Sequence, residues 1–139
     1  MQSANVNIGC DFLVAGIDAG GARVCYVGHP GTLVWLDKLG YGAIGSGAVH
    51  ATMRLSLGAQ TRDTPLAASI LAVYTAKKGS EVAPGVGNET DVAIVYADRI
   101  DRCSPNTMQE LDRLFKESAE RLAPDLGGLT ALVTPGAAK

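Results

Sequence analysis

The run Phe12-Leu13-Val14-Ala15-Gly16-Ile17 constrains the fold more than any other stretch, because it is apolar at both of its alternating sets. Successive side chains of a strand point to opposite faces, so Phe12, Val14 and Gly16 share one side and Leu13, Ala15 and Ile17 the other. An antiparallel strand with one wet face would alternate apolar with polar residues. The sheet built on this run is therefore expected to be covered on both faces. Asp18-Ala19-Gly20-Gly21 is a turn signal, short enough to make residues 23–27 an antiparallel hairpin partner. His29-Pro30-Gly31 supplies a second turn before a third strand at residues 32–36, which predicts a three-stranded meander.

The next stretch, residues 41–51, sets Gly42, Gly45, Ser46 and Gly47 at a strand-to-helix corner, where glycine permits close backbone approach or positive φ. A first helix is expected over residues 47–59, with Gly58 as its stop signal. A second opens at Asp63-Thr64-Pro65, with Thr64 as N-cap and Pro65 at the first helical position. It carries Ala67, Ile70, Leu71 and Tyr74 on one stripe and ends at Lys77-Lys78-Gly79. A loop over residues 83–88 leads to a fourth strand at 91–96, and Ser104-Pro105 opens a third helix with Met108, Leu111, Phe115 and Leu122 on its stripe. The fold class is α+β: an antiparallel sheet with helices on one face. Residues 1–122 form the expected domain, and residues 123–139 a flexible tail with room for one weak strand at 129–133.

A chain of 139 residues, 47% hydrophobic and 19% charged, has the make-up of one globular domain. Its net charge of −2 offers no electrostatic footprint for nucleic acid or an anionic membrane, so neither partner is expected. The apolar runs are too short for a bilayer span, and Met1-Gln2-Ser3-Ala4-Asn5 lacks signal-peptide character, which predicts a cytoplasmic location. Cys10, Cys25 and Cys103 are odd in number and unrelated in spacing, so buried free thiols are expected and no metal or cofactor is implied.

Gly40-Tyr41-Gly42-Ala43-Ile44-Gly45 matches the dinucleotide fingerprint, but that fingerprint requires a parallel strand straight after the helix. A second helix follows here, and the preceding strands are hairpin-linked. Gly45-Ser46-Gly47 misses the nucleophile elbow, since Ile44 and Ala48 stand where it needs glycine. His50 lies four residues from Ser46; an N-cap serine and a histidine on the helix side account for both.

Four segments in order carry a resemblance: residues 12–18 (Phe-Leu-Val-Ala-Gly-Ile-Asp), 31–34 (Gly-Thr-Leu-Val), 43–48 (Ala-Ile-Gly-Ser-Gly-Ala) and 90–95 (Thr-Asp-Val-Ala-Ile-Val). With this order of elements, residues 12–97 resemble the C-terminal half of a proteasome β-type subunit or a bacterial relative, an N-terminal-nucleophile (Ntn) hydrolase. The resemblance implies half of a four-layer αββα sandwich and an amide-bond-hydrolysing, proteolytic activity. In that family an N-terminal threonine attacks, assisted by an aspartate and a lysine from the N-terminal half. The corner serine and the N–H of the following glycine support the amine and the oxyanion, roles that would fall on Ser46 and Gly47.

The threonine, aspartate and lysine have no counterpart in these 139 residues, and the family's later Asp and Ser positions fall on Ala83 and Val86. The resemblance therefore implies a chain inactive alone, which dimerises or pairs with a complementary N-terminal half through its sheet. The alternative is a non-catalytic assembly module on the same scaffold. Autocleavage between Gly9 and Cys10 would make a cysteine nucleophile, but Cys10 precedes a strand matching the middle of the fold, and an unprocessed intact mass would end that idea.

Overall fold

A computed structural model describes residues 9–121. Three strands, β1 (Phe12–Asp18), β2 (Gly21–Gly28) and β3 (Thr32–Trp35), form the expected antiparallel meander in the order β1-β2-β3. Helix α1 (Ala48–Leu57) and helix α2 (Leu66–Ser80) follow, then a hairpin of β4 (Ala93–Val95) and β5 (Ile100–Arg102), then α3 (Pro105–Arg121). The chain is thus a small α+β domain with two antiparallel sheets and helices packed on one face. The second sheet corrects the expectation of one. Its strand β5 is only Ile-Asp-Arg, and it forms because the Tyr96 N–H donates to the Arg99 carbonyl at 2.8 Å and closes the turn. The residue 129–133 strand, the tail and Leu122 lie outside the described residues.

Cross-strand register settles which face of the meander is which. Val14 lies opposite Cys25 and Cys25 opposite Trp35, while Phe12 lies opposite Val27 and Val27 opposite Leu33. These residues share the outer face, where Phe12, Val14, Leu33 and Trp35 are each more than half exposed. The other set, with Leu13, Ala15 and Val24, lines the space beneath the helices. The expectation that the sheet is covered on both faces therefore fails within this chain, since its helices lie against the inner face alone. The four outer side chains leave on the order of 400 Å² of apolar surface in water, a size at which exposed patches mark interaction sites.

The interior is small. Tyr41, Leu55 and Ala76 are buried together, with Ala51 and Ala72 packed against them, and among the described residues no large side chain is fully buried. Helix α1 also turns Val49, Met53 and Leu57 to solvent at i, i+4, i+8. A second cluster joins α2 to α3. Buried Tyr74 meets Phe115 edge-on at 6.4 Å between centroids, and its hydroxyl donates to Asp112 Oδ1 at 3.3 Å. Burial pushes the Tyr74 hydroxyl pKa up, and the Asp112 charge adds to the rise.

Three cap details differ from expectation. Gly47, not Ser46, is the N-cap of α1, because Gly45 takes φ +89° and the Ala48 N–H donates back to its carbonyl at 3.0 Å. Pro65, not Thr64, occupies the N-cap of α2; Thr64 Oγ1 instead accepts from the Thr61 N–H at 3.0 Å. Gly79 does not end α2, which runs on to Ser80. The cap of α3 is as expected, with Ser104 Oγ accepting from the Thr107 N–H at 3.2 Å. Among the described residues no helix is long and apolar enough to cross a membrane.

Candidate functional site

The glycine corner is held from both ends. Upstream, Asp37 anchors the chain as it leaves β3: its carboxylate accepts from Arg23 Nη1 at 2.8 Å and from the Val24 N–H at 2.9 Å. The Arg23 guanidinium first, and then that N–H, hold the Asp37 carboxyl below the usual carboxylate range. Gly40, at φ +80°, presses its backbone on the Thr61–Arg62 main chain, where any Cβ would meet the Arg62 nitrogen and lie 2.8 Å from the Arg62 Cα. Downstream, the corner becomes the first turn of α1, whose leading N–H groups have no intrahelical partner.

A cleft of about 720 Å³ opens beside this corner, between the inner sheet face and the helices. Leu13, Ala15 and Val24 form its floor, and Ser46 and Gly47 lie on its rim. A neighbouring cleft of about 420 Å³ shares Tyr41 and residues 42–45 with it. The sheet and helix layers thus do not close on each other. Gln60 is nearly buried on the cleft wall, its Nε2 donating to Ser69 Oγ at 2.9 Å and to the Thr61 carbonyl at 3.2 Å.

Ser46 is exposed and Gly47 buried, as suits a hydroxyl at a rim and an N-cap beneath it. No side chain caps α1; the Ala48 N–H is taken up by the Gly45 carbonyl at 3.0 Å, and Gly47 is packed against Ser80 and Val86. Exposed His50 is not hydrogen-bonded to Ser46. The loop bearing Ala83 and Val86 folds back on the corner: a Cβ on Gly47 would lie 3.0 Å from Val86 Cγ2, and one on Gly85 3.8 Å from Ser46 Oγ. Ala83 is buried and Val86 half-buried, and neither can carry charge or a hydroxyl. Of the three free thiols only Cys25 is buried as expected: Cys10 is exposed, on the last residues before β1, and Cys103 is half-buried.

Lys77 and Lys78 have a role that the sequence reading missed when it assigned them only to the helix dipole. Lys77 Nζ donates to Glu81 Oε1 at 2.6 Å and to the Gly87 carbonyl at 2.7 Å. Lys78 Nζ donates to the same carboxylate at 3.0 Å and to the Asn88 carbonyl at 3.2 Å. The Lys77 ammonium, followed by that of Lys78, holds the Glu81 carboxyl below its ordinary pKa. The i, i+4 spacing of Lys77 and Glu81 was a readable signal for the pair, but not for the carbonyls. Among the described residues no group of three His, Cys, Asp or Glu side chains is placed to hold a metal ion. No protein-family model and no curated protein matches this chain.

Proposed function

We propose that this chain is the C-terminal part of a proteasome-like Ntn hydrolase, acting in the cytoplasm and supplying one wall of an amide-hydrolysing site. Ser46 would steady the attacking residue's amine and the Gly47 N–H would donate to the oxyanion, while a complementary N-terminal half brings the nucleophile. The observation that carries the reading is the corner itself. A glycine-serine-glycine turn sets the backbone N–H groups of a helix start, uncapped by any side chain, beside a cleft between sheet and helices, with the later loop folded against it. Preorganised donors of this kind are what acyl transfer needs. The bare outer face of β1, β2 and β3 supports the pairing half of the proposal, because a second sheet packed on it would rebuild a core about 10 Å thick.

The test is co-expression with the N-terminal half of a proteasome-like subunit, followed by assay of fluorogenic peptide amides. Hydrolysis is expected only from the paired complex, and Ser46→Ala is expected to lower it on the order of 10²-fold. Undiminished turnover in Ser46→Ala would remove the corner from the chemistry. A second reading, an assembly module without catalysis, is favoured by apolar Ala83 and Val86 beside the corner. It predicts stable complexes or homo-oligomers with no turnover.

A further inference from the structure

The loop over residues 82–88 is attached in an unusual way. Its described main-chain bonds are two local turns, Ala83 N–H to the Ser80 carbonyl at 3.0 Å and Val86 N–H to the Ala83 carbonyl at 3.2 Å. What ties its far end to α2 is the pair of lysine ammoniums, donating to the Gly87 and Asn88 carbonyls and sharing Glu81. The ion pairs to Glu81 are half-shielded, with the side chains of Lys77, Lys78 and Glu81 only 26%, 18% and 23% exposed, while the two bonds to the loop carbonyls face solvent. Gly85, inside the second turn, takes φ +81°, which glycine adopts without a Cβ penalty. The held loop lies on the Ser46–Gly47 corner, and Gly85, Val86 and Gly87 line the cleft.

We propose that residues 82–88 form a hinged wall of the cleft, latched shut by Lys77 and Lys78, and that release of the latch uncovers the Ser46–Gly47 corner. Each lysine spans α2 and the loop, so it acts on the corner only through the loop and is a positioning residue. The latch concerns the conformation of this chain, and it stands whether or not the hydrolase reading holds.

Amide hydrogen exchange on the intact chain tests it. Methionine keeps the length of the lysine stem while removing the donor. Lys77→Met and Lys78→Met are each expected to speed exchange of the hydrogen-bonded Val86 amide by about tenfold, the loss of one hydrogen bond to a charged group holding the loop, and the double variant by about 100-fold. Exchange in α1 and α3 should stay within about twofold of the wild type, because neither helix is held by the latch. Unchanged loop exchange in the double variant overturns the proposal, as does an equal rise throughout the chain in both single variants. Maleimide labelling of Val86→Cys gives a second readout. Labelling is expected to speed up on adding Lys78→Gln, and an unchanged rate also counts against the latch.

Discussion

Replacing Gly47 by alanine would put a Cβ 2.8 Å from Ser80 Cβ, 3.0 Å from Ser80 Oγ and 3.0 Å from Val86 Cγ2. Carbon atoms in contact sit about 3.5–4.0 Å apart, so α1, the end of α2 and the latched loop would have to separate by roughly 0.5–1 Å. The backbone is not the main obstacle, because Gly47 at φ −91° and ψ 3° sits in the bridge region, which is open to L-residues though sparsely populated. The cost is therefore overpacking, about 1–3 kcal/mol, plus about 0.5 kcal/mol for alanine at an N-cap. Urea unfolding followed by circular dichroism should show Gly47→Ala destabilised by about 2–3 kcal/mol. Val86→Ala removes one of the three contacts, so the double variant should be less destabilised than the sum of the single ones by about 0.5–1 kcal/mol. A Gly47→Ala chain within 0.5 kcal/mol of wild type, or strictly additive variants, would refute the close packing of loop and corner.

Three more outcomes follow from the caps, the loop and the corner. Ala59 takes φ +52° just after α1, with its N–H on the Ser56 carbonyl and the Gln60 N–H on the Leu55 carbonyl, so Ala59→Gly should stabilise by about 1 kcal/mol in the same urea assay. Ser104→Ala should cost about 1 kcal/mol through loss of the α3 cap. Because the folded pKa of Glu81 lies below its ordinary 4.5, its stabilising contribution is complete above that pH and is lost as pH falls through the lower folded value. Stability below pH 4.5 should therefore fall less steeply in Glu81→Gln than in wild type, and identical acid limbs would contradict the ion pair.

The elements were legible where local chemistry and tertiary packing agree. The meander follows from two turn signals, and α3 from Ser104-Pro105 and its apolar stripe. β5 was not legible, since two of its three residues are charged and only the Tyr96–Arg99 closure makes it a strand. Thr64 was misread because its hydroxyl serves the preceding turn at Thr61. The corner at the start of α1 was readable from its glycines, while the roles given to Ser46 and Gly47 rest on the resemblance alone. Gln60, Ser69 and the lysine contacts were not readable, because packing of distant segments brings them to the cleft. The doubly apolar β1 was read as a strand covered on both faces, and the chain covers only one of them.

Trp35 reports directly on any cover over the outer face, because it is the chain's single tryptophan and stands 61% exposed there. Its emission should be that of a water-exposed indole in dilute chain. On titration with the complementary half it should shift to the blue and saturate at one half per chain, with amide hydrolysis rising in step and Trp35→Lys abolishing both. Emission that stays unshifted throughout the titration, with sedimentation giving an unpaired monomer, would contradict the claim that this chain is half of a sheet-on-sheet hydrolase.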